Sequence, residues 1–285
     1  MIAGNLPDTP SAGMAAVTCF GLHNLGNTCY LNALIQFLVS FKSVAAHFLA
    51  HVDSRTEPDQ TKRILRNLIA SVLLPKDAVY IYNVKGILQE LHRCTADFGM
   101  VGIPDCVDMA FTLLADRWAL PSLFSSQFNL AVKCTACQHE IVKLQPPQNQ
   151  VHVSPDTRPF ASQILFTRPQ RLEGYKCDGC QSIGTSNQVS VMAKVPRVLV
   201  ITCHAPFPAC QVPKCFTLEL RDHKYTFQLK AVVALAHAHY TTTAMRCMQS
   251  HDAIIQHSDD RCRFVPNFED SLQHGRVLGF EQIAE

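Results

Sequence analysis

The sequence has little net charge and no long apolar segment, and both absences exclude a class of partner. It carries 25 Lys and Arg residues against 23 Asp and Glu residues, a formal net charge of +2, and has no basic run. Nucleic-acid binding needs a concentrated positive surface, so we expect no nucleic-acid partner. The longest apolar runs, such as residues 198–202, are far shorter than a membrane span, so we expect no membrane partner either.

The N-terminal residues also lack a secretory signal. Residues 1–18 have no basic region followed by an apolar core, so we predict a flexible leader there. The 13 cysteines are odd in number, and without a signal peptide they favour reduced thiols plus a metal site over a disulfide framework. We therefore expect a cytoplasmic or nuclear location. A chain of 285 residues with 47% apolar content is long enough for one large domain or two small ones.

The most informative stretch is residues 21–39. Gly21 and Gly26 bracket a polar turn, and the residues after it are apolar at helical spacing: Leu31, Leu34, Ile35 and Leu38. Cys29 is therefore predicted at the N-terminus of a buried helix, where the helix dipole favours the nucleophilic thiolate. The side-chain amide of Asn24 could donate a hydrogen bond to a nearby oxyanion. The plainer alternative is an inert buried cysteine.

Two Cys-x-x-Cys pairs follow later in the chain, each at a predicted strand–turn junction. They are Cys134 with Cys137, and Cys177 with Cys180. Each pair holds two thiolates on one tight turn, which suits tetrahedral zinc. Four sulfur ligands close the coordination shell, so the expected Zn²⁺ is structural and takes no part in catalysis.

Periodicity predicts the main elements around these motifs. Apolar residues recur at helical spacing over residues 61–74, 84–92 and 103–118. Alternation predicts a strand that runs into Cys134, two short strands around Pro196, a strand over residues 227–233, and another that starts at His239.

Residues 21–32 resemble the Cys box of the ubiquitin-specific proteases, the papain-like deubiquitinases, which reads Gly-Leu-x-Asn-x-Gly-x-Thr-Cys-Tyr-x-Asn. The resemblance implies that Cys29 is the nucleophile and Asn24 the oxyanion donor. It extends over roughly residues 20–280 and implies an α+β, papain-like cysteine peptidase fold. The implied catalytic domain covers residues 19–285, and its implied parts are a helical thumb (19–125), a zinc-bearing β fingers subdomain (126–190) and a β palm (191–285).

The same resemblance implies which histidine is the general base. The family's segment Tyr-x-Leu-x-Ala-Val-Val-x-His, a loop and Gly-His-Tyr correspond to residues 227–240, which implies that His239 is the general base and that Tyr240 contacts substrate. His237 is the competing candidate. The chain departs from the family at Ala238, which replaces the Gly, and in a loop shortened by several residues. An Ala there could crowd the channel for the modifier's tail.

Acidic residues complete the implied site. A carboxylate beside the imidazole would fix its tautomer. We choose Asp259, while the neighbouring Ser258 and Asp260 stay as alternatives, as does a plain acidic turn. Asp105 matches one of the family's acids that help to bind ubiquitin's tail, and helix capping is its alternative role.

The resemblance implies a cysteine isopeptidase that acts as a monomer on conjugates of ubiquitin or a ubiquitin-like modifier. Cleavage would follow the modifier's C-terminal Gly. The chain also resembles, less closely, the branch of this family that acts on the interferon-induced ubiquitin-like modifier. That modifier is therefore the second candidate substrate. The departures around His239 leave a second hypothesis open, a catalytically impaired scaffold that binds the modifier. A third, a zinc-ribbon interaction protein, is hard to reconcile with the intact Cys box.

Overall fold

A computed structural model describes most of the chain. The described residues are 20–53, 55–73, 80–82, 84–95, 105–118, 120–205, 207–208, 211–247 and 252–283. The predicted leader, residues 1–18, lies outside them.

The helices of the described chain lie mostly before residue 125. They are α1 (Cys29–Leu38), α2 (Lys42–His51), α3 (Gln60–Leu73), α4 (Lys85–Cys94), α5 (Val107–Arg117), α6 (Pro121–Phe124), α7 (Phe160–Leu165) and α8 (Glu269–Leu272). The helices predicted from periodicity are confirmed as α3, α4 and α5. Every residue of α1 is buried, so this helix lies at the centre of the helical layer.

The strands lie mostly after residue 125. They are β1 (Phe20–Leu22), β2 (Tyr80–Tyr82), β3 (Gln127–Cys134), β4 (Glu140–Leu144), β5 (Val151–Val153), β6 (Gln170–Leu172), β7 (Ser186–Lys194), β8 (Val198–Cys203), β9 (Cys215–Leu220), β10 (His223–Ala236), β11 (His239–Cys247), β12 (Asp252–Ser258), β13 (Arg261–Phe264) and β14 (Gly275–Gln282). The segregation of helices and strands confirms the predicted α+β class.

Three sheets form from these strands. A parallel pair joins β1 to β2, and a four-stranded sheet has the order β4-β3-β7-β6. The largest sheet has eight strands, in the order β13-β12-β11-β10-β14-β8-β5 with β9 beside β10. Strand β5 lies inside the span predicted for the fingers but pairs with β8 in the largest sheet. The limits of the three subdomains stay predictions.

The eight-stranded sheet is buried on both faces. In β8, Val198 and Val200 pack into the core shared with the helices, whereas Leu199 and Ile201 pack into a second core on the opposite face. Successive side chains of a strand point to opposite faces, so a strand covered on both sides needs an unbroken apolar run. This explains the sequence Val-Leu-Val-Ile at that position.

Helix α1 is fixed onto the eight-stranded sheet by buried polar contacts. The Thr242 hydroxyl of β11 donates to the carbonyl of Ala33 at 2.7 Å. Arg246, on the same strand, donates to the carbonyl oxygen of Gln36 at 3.0 Å and to its side-chain oxygen at 2.8 Å. These contacts set the position of the helix that carries Cys29 relative to the strand that carries His239.

No single described helix is long and apolar enough to cross a membrane. Helices α1 and α2 pass that test of length and composition only when taken together, across a bend of 86°.

Candidate active site

Cys29 is the first residue of α1 and is 7% exposed. Within the described chain, no side-chain hydrogen bond caps this end of the helix. The first N–H groups of a helix have no partner inside the helix, so they can stabilise negative charge beside the sulfur. The sequence prediction that Cys29 begins a buried helix is confirmed.

The turn before Cys29 is shaped by the side chain of Asn24. Its Oδ1 accepts hydrogen bonds from the backbone N–H of Gly26 at 3.0 Å and from that of Thr28 at 3.2 Å. Gly26 has φ 93° and Asn27 has φ 54°, a left-handed conformation that Gly and Asn tolerate best. The polar turn expected from the sequence is thus an Asn-nucleated loop that leads into the helix.

His239 is the first residue of β11 and follows a very tight hairpin. Ala236 pairs with His239, so only His237 and Ala238 form the turn. Both have positive φ, 50° and 59°, as a type I′ turn requires. Where the sequence predicted a shortened loop, the structure has a two-residue turn. His237 is exposed at the tip of the turn.

The imidazole of His239 faces the end of β12. Its Nε2 lies 3.0 Å from Ser258 Oγ and 3.6 Å from Asp259 Oδ2. The side chains of His239 and Asp259 are 36% and 14% exposed, so the pair is partly shielded from water.

Asp259 also connects this strand to the Cys29 loop. Asn24 Nδ2 donates to Asp259 Oδ2 at 3.0 Å, and Asn32 Nδ2, one turn into α1, donates to Asp259 Oδ1 at 2.8 Å. The backbone N–H of Leu22 donates to the carbonyl of Asp259 at 2.9 Å. One aspartate therefore binds the segment before Cys29, the helix that begins at Cys29, and the neighbourhood of His239.

Two tyrosines follow the candidate catalytic residues directly in the chain, Tyr30 after Cys29 on α1 and Tyr240 after His239 on β11. Burial, and then the proximity of Asp105 and Cys29, raise the pKa of Tyr30 well above its usual value. Burial, and then the nearby Cys106, raise the pKa of Tyr240 to about 12, although Tyr240 is hydrogen-bonded to the backbone of Val107. Both phenols are therefore neutral at physiological pH.

A cavity of about 280 Å³ adjoins Tyr240, between the start of α5 and the ends of β8, β10 and β14. Asp108 and Arg276 give its lining one charge of each sign, and Leu235 stands where the resemblance places a His. Cys106 also lines the cavity, but burial and then its hydrogen bond to Asp108 raise the pKa of its thiol, which lowers its reactivity.

The four predicted metal ligands come together at one end of the four-stranded sheet. The ligand atoms of Cys134, Cys137, Cys177 and Cys180 all lie within 4.8 Å of one another. The Cys134–Cys180 and Cys137–Cys177 sulfur distances are 3.8 Å and 3.6 Å. A hydrogen bond from the Thr185 hydroxyl lowers the pKa of Cys134 to about 5. A backbone hydrogen bond from His139 lowers the pKa of Cys137, but burial and the neighbouring cysteine sulfurs outweigh it and raise that pKa to about 12, so the first thiolate of the cluster forms at Cys134.

A family model described as "Ubiquitin carboxyl-terminal hydrolase" matches residues 20–207, more than half of the chain. The chain belongs to the ubiquitin carboxyl-terminal hydrolase family. It is 21% identical over 210 residues to "Ubiquitin carboxyl-terminal hydrolase 15" of Arabidopsis thaliana and 26% identical over 219 residues to "Ubiquitin carboxyl-terminal hydrolase 25" of the same organism. Each match covers 64% of this chain but only 22% and 32% of those relatives, so the chain spans between a fifth and a third of their length.

Solved structures of low sequence identity share the fold. The SAGA Ubp8/Sgf11/Sus1/Sgf73 DUB module bound to ubiquitin aldehyde matches with a TM-score of 0.76 at 13% identity, over 97% of this chain and 72% of the other. A second structure of that module, bound to monoubiquitin, matches with a TM-score of 0.73 at 12% identity, over 98% of this chain and 72% of the other. The predicted papain-like fold of the ubiquitin-specific proteases is confirmed.

Within the hydrolase family fold, four of the residues selected from the sequence lie around the junction of α1, β11 and β12. Asn24, Asp259 and His239 form a chain of contacts there, and Cys29 lies on the helix that Asp259 binds. The roles assigned to these residues stay predictions. The structure differs in one respect: an amide hydrogen of Asn24, the predicted oxyanion donor, is directed at Asp259.

Three contributors were not selected from the sequence. Ser258, named only as an alternative, is closer to the imidazole than Asp259. Asn32 is the last residue of the Cys box pattern, which was a usable signal. A Cβ on Gly21 would lie 2.7 Å from the backbone of Asp260, so this glycine allows β1 to approach the β12–β13 turn.

Proposed function

We propose that this chain is a cysteine deubiquitinase that cleaves the isopeptide bond after the C-terminal Gly of ubiquitin. The observation that carries the proposal is the bridge through Asp259, which joins the loop and helix of Cys29 to the imidazole of His239. Family membership supports the reaction class, and the structural neighbours bound to ubiquitin aldehyde and monoubiquitin support the substrate.

In the proposed reaction, the Cys29 thiolate attacks the carbonyl carbon of the last Gly. A C–S bond forms and the C=O electrons become an oxyanion. The Nε2 atom of His239 faces Ser258 and Asp259, so Nδ1 is the atom that takes the proton of the Cys29 thiol when the thiolate forms. As the oxyanion collapses, the C–N bond breaks and the departing lysine amine takes the proton from Nδ1.

Water completes the cycle. His239, now neutral, takes a proton from water, and the hydroxide attacks the thioester. The C–S bond breaks and the Cys29 thiolate is released together with the free Gly carboxylate. The neutral Tyr240 and Tyr30 carry no charge that would oppose this thiolate.

Two groups are suited to hold the oxyanion. The backbone N–H of Cys29 lies at the start of α1 and has no partner within the helix. The Nδ2 of Asn24 has two hydrogens, and among the described residues only Asp259 is seen to accept one, so the other can serve the oxyanion. Loss of one oxyanion donor costs roughly 10²–10³ in kcat in well-studied hydrolases.

We propose that the four-cysteine cluster holds a structural Zn²⁺ ion. Zinc at ~2.3 Å from each of four tetrahedral sulfurs requires sulfur–sulfur distances of about 3.8 Å. The Cys134–Cys180 distance of 3.8 Å and the Cys137–Cys177 distance of 3.6 Å, each between sulfurs of different Cys-x-x-Cys pairs, agree with this requirement. Bound zinc would cross-link the β3–β4 turn to the segment that precedes β7.

A ubiquitin probe with a C-terminal electrophile tests the proposed function. We expect one covalent adduct at Cys29, which peptide mass spectrometry identifies. The adduct should be absent in Cys29→Ala, and it should form much more slowly in His239→Ala. Cys106→Ser, which removes the thiol that lines the cavity beside Tyr240, should form it at the native rate. A parallel probe built on the interferon-induced modifier decides between the two modifiers. Absence of an adduct at Cys29 with both probes would refute the enzyme proposal.

The second candidate function is a modifier-binding scaffold with impaired catalysis. Two observations favour it: the Asn24 amide is directed at Asp259, and Ala238 occupies a left-handed turn position where the family has Gly. Calorimetric titration with ubiquitin distinguishes the candidates. Saturable binding without adduct formation supports the scaffold, and adduct formation excludes it.

A further inference from the structure

This inference rests on the proposed function and concerns how the imidazole is held. We propose that Ser258 is the residue that positions His239, whereas Asp259 mainly anchors the Cys29 loop and α1 to the palm. The two tasks are divided between neighbouring residues, and the hydroxyl is the direct partner of the ring.

The distances favour the hydroxyl. His239 Nε2 lies 3.0 Å from Ser258 Oγ, which is an ordinary hydrogen-bond length. The nearest carboxylate oxygen, Asp259 Oδ2, lies 3.6 Å away. That separation is too long for a hydrogen bond, so Asp259 acts on the ring only through its charge.

The carboxylate of Asp259 is already occupied. Its Oδ1 accepts from Asn32 at 2.8 Å and its Oδ2 accepts from Asn24 at 3.0 Å. Its backbone carbonyl accepts from the N–H of Leu22. These contacts join elements that lie more than 200 residues apart in the chain, which is the pattern of an anchor.

The position of Ser258 is fixed by the sheet. It is the last residue of β12 and pairs with Arg261 of β13, while the preceding His257 pairs with Thr242 of β11. His239 begins β11, so both partners lie at the same end of adjacent, hydrogen-bonded strands. A hydroxyl held by a strand end orients a ring better than a mobile side chain does.

The arrangement also selects a tautomer. The Ser258 hydroxyl lies at hydrogen-bond distance from Nε2, and the hydrogen bond made at one ring nitrogen decides which of the two carries the proton. The Ser258 hydroxyl then accepts the Nε2–H hydrogen bond. Nδ1 keeps its lone pair, as a base acting on Cys29 requires.

The test compares three substitutions in the full chain: Ser258→Ala, Ser258→Thr and Asp259→Asn. Long-range ¹H–¹⁵N spectra of protein labelled at histidine nitrogen report the tautomer of His239, and His239→Gln identifies its signals among those of the 13 histidines. Hydrolysis of a fluorogenic ubiquitin C-terminal amide gives kcat and KM separately. The thermal unfolding temperature shows how far each substitution weakens the contacts that Asp259 makes with the Cys29 loop and α1.

We expect the native ring to be the Nε2–H tautomer. Ser258→Ala should mix the tautomers, lower kcat about 10- to 100-fold with little change in KM, and leave the unfolding temperature unchanged. Ser258→Thr, which keeps a hydroxyl, should restore the tautomer and most of kcat. Asp259→Asn should keep the Nε2–H tautomer but lower the unfolding temperature by several degrees.

The inference is overturned if Ser258→Ala keeps the native tautomer, whether or not Asp259→Asn loses it. If Asp259→Asn does not fold, Asp259→Glu takes its place in the comparison. The tautomer is measured without substrate. A chain that fails to hydrolyse ubiquitin therefore refutes the proposed function and leaves this test intact.

Discussion

His257 is a buried titratable residue directly behind the proposed active site. It is 3% exposed, and its ring lies 6.1 Å from that of Phe20 in β1. Burial, and then the guanidinium of Arg246, hold the pKa of His257 well below its ordinary value. The imidazole is therefore neutral in the folded chain.

A neutral buried histidine makes stability depend on pH. In the unfolded chain His257 binds a proton below about pH 6.5, whereas the folded chain resists this proton. The stabilising contribution is complete above that pH and is lost as the pH falls toward the lower folded pKa. We expect the native chain to lose about 1 kcal/mol more than His257→Leu between pH 6.5 and 5.5.

Urea unfolding at the two pH values measures the difference. His237→Leu is the control, because His237 is exposed at the hairpin tip and should keep the native pH dependence. Equal losses in the native chain and in His257→Leu would contradict the assignment.

Ala238 stores strain in the hairpin that precedes His239. Its φ of 59° is left-handed, which costs an L-residue with a Cβ about 1–2 kcal/mol relative to glycine. Ala238→Gly should therefore raise the free energy of unfolding by about 1 kcal/mol. Ala236→Gly, two residues earlier in β10, should lower it, because glycine weakens a strand. Denaturant unfolding of both variants is the measurement, and a loss of stability in both would exclude strain at the turn.

At the scale of elements, α1 can lie close to β14 because β14 has a glycine at the contact. A Cβ on Gly279 would lie 2.4 Å from an atom of the Phe41 ring and 2.6 Å from atoms of the Phe37 ring. These two rings meet edge to face in the core. The close packing of the helix that begins at Cys29 on the sheet therefore depends on a missing side chain.

Gly279→Ala should destabilise the fold by overpacking. We expect a loss of about 1–3 kcal/mol, because both rings and the helix have to move. Gly174→Ala is the matched control, since a Cβ there meets nothing within 4 Å. Thermal or urea unfolding decides. A loss no larger than that of the control would show that the contact is not tight in solution.

Individual residues show which parts of the fold and of the candidate site could be predicted from the sequence. The start of α1 at Cys29 was predictable because a polar turn and a helical apolar period meet there. His239 was selected by resemblance, since a lone histidine on a strand carries no signal of its own. The proposed role of Ser258 and the orientation of the Asn24 amide depend on distances between residues far apart in the chain, and the sequence pattern left Ser258 and Asp259 as alternatives.

At the scale of the whole molecule, the residues that the structure describes form two large apolar cores and one cysteine cluster. The cores lie on the two faces of the eight-stranded sheet, and the second includes Phe128 of β3 and Met192 of β7. The far end of the four-stranded sheet holds the cysteine cluster instead. Ile183, which lies between the second cysteine pair and β7, is 66% exposed. We therefore expect this end of the sheet to depend on the proposed metal for its order.

Removal of the metal should loosen one end of the molecule and leave the rest intact. Chelation, or Cys177→Ser, should accelerate backbone hydrogen exchange over residues 133–140 and 175–186, because the cross-link between the two knuckles is lost. Strands β8 and β10 should keep their protection, since their side chains pack into the two apolar cores. Cys215→Ser, at an exposed cysteine of β9, is the control and should change neither region. Exchange that rises equally in β8 and β10 would mean that the proposed metal stabilises the whole fold, and unchanged exchange at the knuckles would mean that no metal cross-links them.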